Sequence, residues 1–135
     1  MTKVDSRWRG WAPRLLSILR IITAFLLMQH GADKLFNLLG GSPGGPPPLF
    51  TQMWIGGALE FFGGLLVLLG LFTSPVAFIL SGMMAVAYFQ FHAPRGFWPL
   101  QNRGELAALY CFVFLYLSAA GGGSWSLDSV WRRKA

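Results

Sequence analysis

Four apolar blocks, separated by turns rich in glycine and proline, constrain this chain more than any other feature. The hydrocarbon core of a bilayer asks for roughly 17 to 25 residues of apolar helix, and blocks at about 14–39, 52–72, 75–92 and 103–120 approach or exceed that length. Soluble domains carry about 25% charged residues, whereas this chain carries 12% and is 54% hydrophobic, with a mean hydropathy of +0.51. The expected fold is therefore all-α: a four-helix transmembrane bundle, one integral-membrane domain spanning 1–135, with residues 121–135 as a cytoplasmic tail.

The punctuation between the blocks is chemical. Pro13 suits the first turn of a helix, where its missing N–H is not needed, and Arg20 is expected to snorkel along its own aliphatic stem to the headgroups. The run GGSPGGPPP (Gly40 to Pro48) cannot continue a helix and forms the first loop. Thr73, Ser74 and Pro75 read as a tight turn that caps the third span, which makes the second and third spans antiparallel neighbours. A second loop, APRGFWPLQNRG (Ala93 to Gly104), carries two aromatics suited to a headgroup boundary. Gly121 to Gly123 end the last span, and Trp125 and Trp131 are placed to anchor a short interfacial segment. The basic start resembles a signal peptide, but the apolar run is too long and no A-x-A site closes it, so it reads as an uncleaved span.

The +6 net charge is a topology signal and does not indicate nucleic-acid binding, because the basic residues are not interleaved with aromatics on a folded patch. Eight of them lie with the termini (Lys3, Arg7, Arg9, Arg14, Arg20, Arg132, Arg133, Lys134) and three with the long loops (Lys34, Arg95, Arg103). The positive-inside rule then puts both termini in the cytoplasm, as a multi-pass protein of the cell inner membrane. A lone cysteine, Cys111, excludes an intramolecular disulfide, a thiolate zinc site and a CxxC redox pair.

With that topology the ionisable residues of the spans gather in the half of the membrane away from the cytoplasm. The first helix ends there with Gln29, His30, Asp33 and Lys34. Glu60 lies in the second, Gln90 and His92 end the third, and Asn102, Arg103 and Glu105 start the fourth. His30, Asp33 and Lys34 share one face by i, i+3, i+4 spacing. His30 and Glu60 both fall eight residues from the loop, roughly 12 Å deep by helix rise, so they are expected to face each other. Gly56, Gly57, Gly63 and Gly64 flank Glu60 and read as a close-packing surface that turns the carboxylate toward a neighbouring helix, with His30, Lys34 or a ligand as its partner. An intramembrane carboxylate is by default a functional candidate.

Structural readings compete with functional ones. Asp33 with Lys34, and Arg103 with Glu105, are explained by interfacial pairing that fixes helix ends. His30 serves equally as an interhelical hydrogen-bonder or a proton carrier, and His92 suits a wet interfacial site. Haem is disfavoured because His30 and His92 lie about 10 Å apart along the membrane normal by helix rise. His30, Asp33, Glu60 and Glu105 have no diagnostic metal spacing, so no metal is expected. Phe89, Phe91 and Phe97 are candidates to line a slot for a flat ring.

The segments GADKLFNLLGG, GGALEFFGGLLVLLGLFTSPVAFIL and YFQFHAPRGFWPLQNRGELAALYCFVFLYLSAAGGGSWSLD together resemble the DoxX family of small four-helix membrane proteins, from about Arg14 to Asp128. The resemblance implies a transmembrane bundle related to the DoxD subunit of thiosulfate:quinone oxidoreductase, with partners among redox or sulfur enzymes. It carries over Gly31, Lys34, Glu60 with its glycines, Asn102, Gly104 and Glu105. At Arg103 the family pattern is expected to be small, so this chain departs from it there. The leading functional reading is a membrane subunit of a redox or respiratory complex that binds a quinone or other lipophilic molecule in the outer polar layer. As an enzyme it is at most an oxidoreductase subunit without its own electron carrier, working beside a protein partner. The alternatives are a non-catalytic scaffold or assembly factor and a small transporter; homo-oligomerisation stays open.

Overall fold

A computed structural model describes residues 3–135, with side chains from Asp5 onward; the side chain of Lys3, counted above among the terminal cations, lies outside the described residues. Every regular element among the described residues is helical. Helix α1 covers Lys3–Phe36, and α2 covers Gln52–Leu69 with a π-turn at Leu59–Gly63. Helix α3 covers Thr73–Arg95, passing through a π-turn at Tyr88–His92 and ending in a 3₁₀ turn at Ala93–Arg95. A one-turn helix α4, Pro99–Asn102, interrupts the second loop. Helix α5 is Glu105–Ala120 and α6 is Leu127–Lys134.

Three of these helices, α1 to α3, are long and apolar enough to cross a membrane. Helix α5 is equally apolar but has 16 residues, about 24 Å at 1.5 Å per residue against a hydrocarbon core of about 30 Å. It pairs along its length with α3, as α1 does with α2. The chain thus runs as two antiparallel hairpins, and both termini emerge at one end, called here the terminal end; the two long loops close the other, the loop end.

Ala24, Leu27, Val67, Ala77, Leu80, Phe114 and Leu117 meet on the bundle axis, each almost fully enclosed. The outer faces are as apolar as the core: Phe78 is 65% exposed and Phe112 69%. Such faces suit lipid, and among lipids helices associate by close packing. Gly31 supplies the closest approach. A Cβ there would lie 2.5 Å from the Phe61 nitrogen and 2.7 Å from the Gly57 oxygen, so α1 and α2 touch backbone to backbone. Gly64 takes Met28, and Gly63 takes Leu80 of α3. Gly56 departs from the expected packing role, since a Cβ there would meet nothing within 4 Å.

The terminal end corrects three expectations. Helix α1 begins ten residues before Pro13, which sits inside it. Arg20 does not snorkel. It is fully buried, donating through Nε to the Gly122 carbonyl at 2.8 Å, through Nη1 to the carbonyls of Val67 (2.6 Å) and Leu68, and through Nη2 to Trp125. Those acceptors are last-turn carbonyls of α2 and the glycine tail, groups a helix end leaves open. The third span is capped by neither Thr73 nor Ser74. Asp128, from α6, accepts the backbone N–H of Phe72 and of Thr73, each at 2.9 Å. Residues 121–126 are therefore a folded strap, and Ser17 ties them further by receiving the Trp125 N–H at 3.0 Å.

Candidate functional site

At the loop end the four long helices part around a cavity of about 510 Å³. Its shape follows from helix length. Helix α5 starts late, after Arg103 (φ +60°) and Gly104, at the level of Tyr88 and His92 on α3. The absent turn leaves a recess against α1 and α2. The recess is roofed on one side by the second loop, which buried Asn102 secures: its Nδ2 donates to the Gly96 carbonyl (2.9 Å) and the Tyr88 hydroxyl (3.2 Å), and its Oδ1 accepts the Gly104 N–H (2.8 Å). Asn102 is thus a fastener of the wall and not part of its surface.

Glu60 stands on this wall, 5% exposed, and Lys34 donates to its Oε1 at 2.7 Å. The other oxygen, Oε2, is enclosed and has no hydrogen-bond partner among the described residues. His30, expected opposite Glu60, instead meets the edge of the Tyr110 ring, with centroids 6.5 Å apart. Lys34 takes the carboxylate because its long stem reaches from one turn nearer the loop, where Gly57 lets that stem pass: a Cβ on Gly57 would already lie 3.0 Å from the Cβ of Lys34. A lone carboxylate in such surroundings is costly, and the ion pair offsets that cost only partly while one oxygen stays unsatisfied.

His92 and Arg103 also line the cavity, as do Arg95, Phe91 and Met83. His92 stacks on Tyr88 and its Nδ1 faces the Asn102 carbonyl at 3.1 Å. Gly56 forms open wall one turn before Glu60. Both π-turns belong to this site, one carrying Glu60 and the other His92. An inserted residue turns the side chains beyond it, and such bulges recur at functional positions.

Other sequence candidates lie elsewhere. Asp33 accepts the N–H groups of Leu39 and Gly41, each at 2.9 Å, and so closes the end of α1. Glu105 is exposed away from the cavity, and no ion pair joins it to Arg103 among the described residues. Gln90 accepts from Gln52 across the rim, and half-buried Gln29 is not on the wall. Phe89 and Phe97 point outward, 69% and 81% exposed, leaving Phe91 alone of the three expected phenylalanines on the cavity. The sequence reading missed Tyr110, 5% exposed and on the wall. Its signal was a phenol in mid-span. No group of three or more histidine, cysteine or carboxylate side chains able to hold a metal exists among the described residues.

Comparison with known proteins gives a match to the DoxX family model over residues 15–93. An uncharacterized protein of Haemophilus influenzae is 39% identical over 131 residues, covering 92% of this chain and 96% of its own length. No solved structure matches.

Proposed function

The chain belongs to the DoxX family, and we propose that this multi-pass membrane protein is the membrane subunit of a redox complex that holds a quinone-type ring in the loop-end cavity. The observation that carries the reading is the half-satisfied Glu60–Lys34 pair, with Oε2 unpartnered, on the wall of a cavity that Leu27, Met83, Met84 and Phe91 also line. Quinone carbonyls accept hydrogen bonds, and their reduction consumes protons together with electrons. Lys34, which gives one N–H to Glu60, has further N–H groups to donate to such a carbonyl, and His30 and Tyr110 line the cavity beside the ring. The methionines and Phe91 fit the flat apolar faces. On this reading the electrons come from a partner protein acting as reductant.

The same proposal sets the protein in the cell inner membrane with both termini cytoplasmic and the cavity in the outer leaflet. The excess of Lys and Arg at the terminal end supports this. Cysteines at Ser42 and at Ser129 in a Cys111→Ala background should react with an impermeant thiol reagent from opposite sides. Labelling of both from one side ends the assignment.

The ligand reading is tested with decylubiquinone titrated into the protein in phosphatidylcholine nanodiscs. Saturable binding that weakens about tenfold or more in Glu60→Gln, while the folded state survives, supports it. Absence of saturable binding, with Glu60→Gln changing thermal stability alone, favours a non-catalytic scaffold whose charges only lock the bundle.

A further inference from the structure

The cavity carries more positive charge than its own carboxylate answers. Lys34, Arg95 and Arg103 line it against Glu60 alone, and Glu60 is already engaged by Lys34. Among the described residues neither Arg95 nor Arg103 meets a carboxylate within ion-pair distance. Nearby acids do not help, since Asp33 is occupied by the backbone of the first loop and Glu105 does not face the cavity.

The two arginines bracket the second loop. Arg95 closes the 3₁₀ turn at the end of α3, and Arg103 occupies the left-handed turn before α5. A non-glycine residue at φ +60° is strained by roughly 1 kcal/mol. Glycine would remove that strain, and Gly104 stands next to it. Here the turn instead carries an arginine that lines the cavity. Arginine is the side chain best suited to a planar carboxylate or a phosphate, through paired N–H donors.

Deeper along the helices the wall turns apolar: buried Leu27, Met84 and Ala107, with Met83, line the recess. A site charged at its rim and greasy at its depth matches one molecule built the same way. Resting on the reading of this cavity as a lipophilic-ligand site, we propose that it also takes an anionic amphiphile, with a carboxylate or phosphate head held by Arg95 and Arg103 and an apolar body along Leu27, Met83 and Met84. The same head chemistry occurs in a membrane phospholipid and in a small free amphiphile.

Dodecyl phosphate, dodecanol, inorganic phosphate and decylubiquinone are each titrated into the protein in phosphatidylcholine nanodiscs. Dodecyl phosphate should bind saturably and at least about tenfold more tightly than dodecanol. The double variant Arg95→Gln/Arg103→Asn, in which asparagine tolerates the left-handed turn, should erase that advantage, and Arg95→Lys/Arg103→Lys should restore part of it. Gly56→Leu, whose Cβ would meet nothing within 4 Å and whose branch projects from open wall, should weaken dodecyl phosphate binding. Repeating the titration with phosphatidylglycerol in the disc separates the sources: competition identifies a lipid headgroup, and undiminished binding identifies a free amphiphile. Equal binding of dodecanol, retention of affinity in the double variant, or inorganic phosphate matching dodecyl phosphate would overturn the anionic-amphiphile assignment, while decylubiquinone binding sensitive to Glu60→Gln would leave the underlying cavity reading intact. Loss of both ligands' saturable binding in the unaltered protein removes both.

Discussion

The two ends of the bundle treat charge in opposite ways. At the terminal end, Arg20 donates to the carbonyls of Val67, Leu68, Gly122 and Trp125, and Asp128 accepts two backbone N–H groups. Charge there is saturated by main chain, and it joins α1, α2, α3 and the strap. At the loop end one oxygen of Glu60 is unpartnered, and exposed Arg95 and Arg103 stand without counter-ions at the rim of a cavity of about 510 Å³. Saturated charge fixes a fold, whereas unsatisfied charge beside open volume is available to something else.

The sharpest way to break this contrast is Arg20→Leu. It leaves the Leu68 and Trp125 carbonyls without a donor, takes one of two donors from Val67 and Gly122, and unties the strap; the expected loss is about 3 kcal/mol or more of unfolding free energy. Thermal unfolding in a fixed detergent measures it. A change below about 1 kcal/mol would mean that the terminal end is not the lock. Gly31→Val comes next. The added carbons collide with the backbone of α2, which cannot yield as a side-chain tip can, and a loss of about 1 to 3 kcal/mol is expected.

Asp128→Asn should cost less, about 1 kcal/mol, as the loss of a charged helix cap does. Burial pulls the Asp128 pKa upward, but the Thr73 and Phe72 hydrogen bonds and the charge of Arg132 outweigh it and hold the carboxyl below its usual value. A depressed folded pKa gives stability that is present above the unfolded value, about pH 4, and fades as pH falls through the folded one. The stability gap between the native protein and Asp128→Asn should therefore close between about pH 4 and lower pH. A gap that persists under acid would show that the carboxylate's charge is not what caps α3.

Gly56→Ala should have the smallest effect and the opposite sign. It meets open space within a helix, so the expected change is neutral or stabilising by up to about 1 kcal/mol. Paired with Gly31→Val, it distinguishes a glycine that lets helices touch from one that keeps a cavity open. Destabilisation as large as that of Gly31→Val would remove the distinction.

The helical class and the nearness of both termini were legible in residue pattern alone. Long apolar runs permit only helices in lipid, and the glycine-proline run between Gly40 and Pro48 can only be a connection. The polar layer was legible too, because helix rise converts position along a span into depth, which brought Lys34, Glu60, His30, His92 and Arg103 to one end. Direction around each axis was not. Whether Glu60 would meet His30 or Lys34 depends on side-chain reach and on the π-turn at Leu59–Gly63, and nothing local announces an inserted residue. Gly56 and Gly57 are adjacent in sequence yet face a void and a helix respectively, since neighbouring residues differ by about 100° around an α-helix. The largest departures, Arg20 enclosed by carbonyls and Asp128 capping a helix 55 positions away, join residues far apart along the chain. Periodicity and propensity describe what a segment prefers by itself; which donors and acceptors meet is set only when the helices pack and their ends must be satisfied by whatever main chain and side chains come within reach.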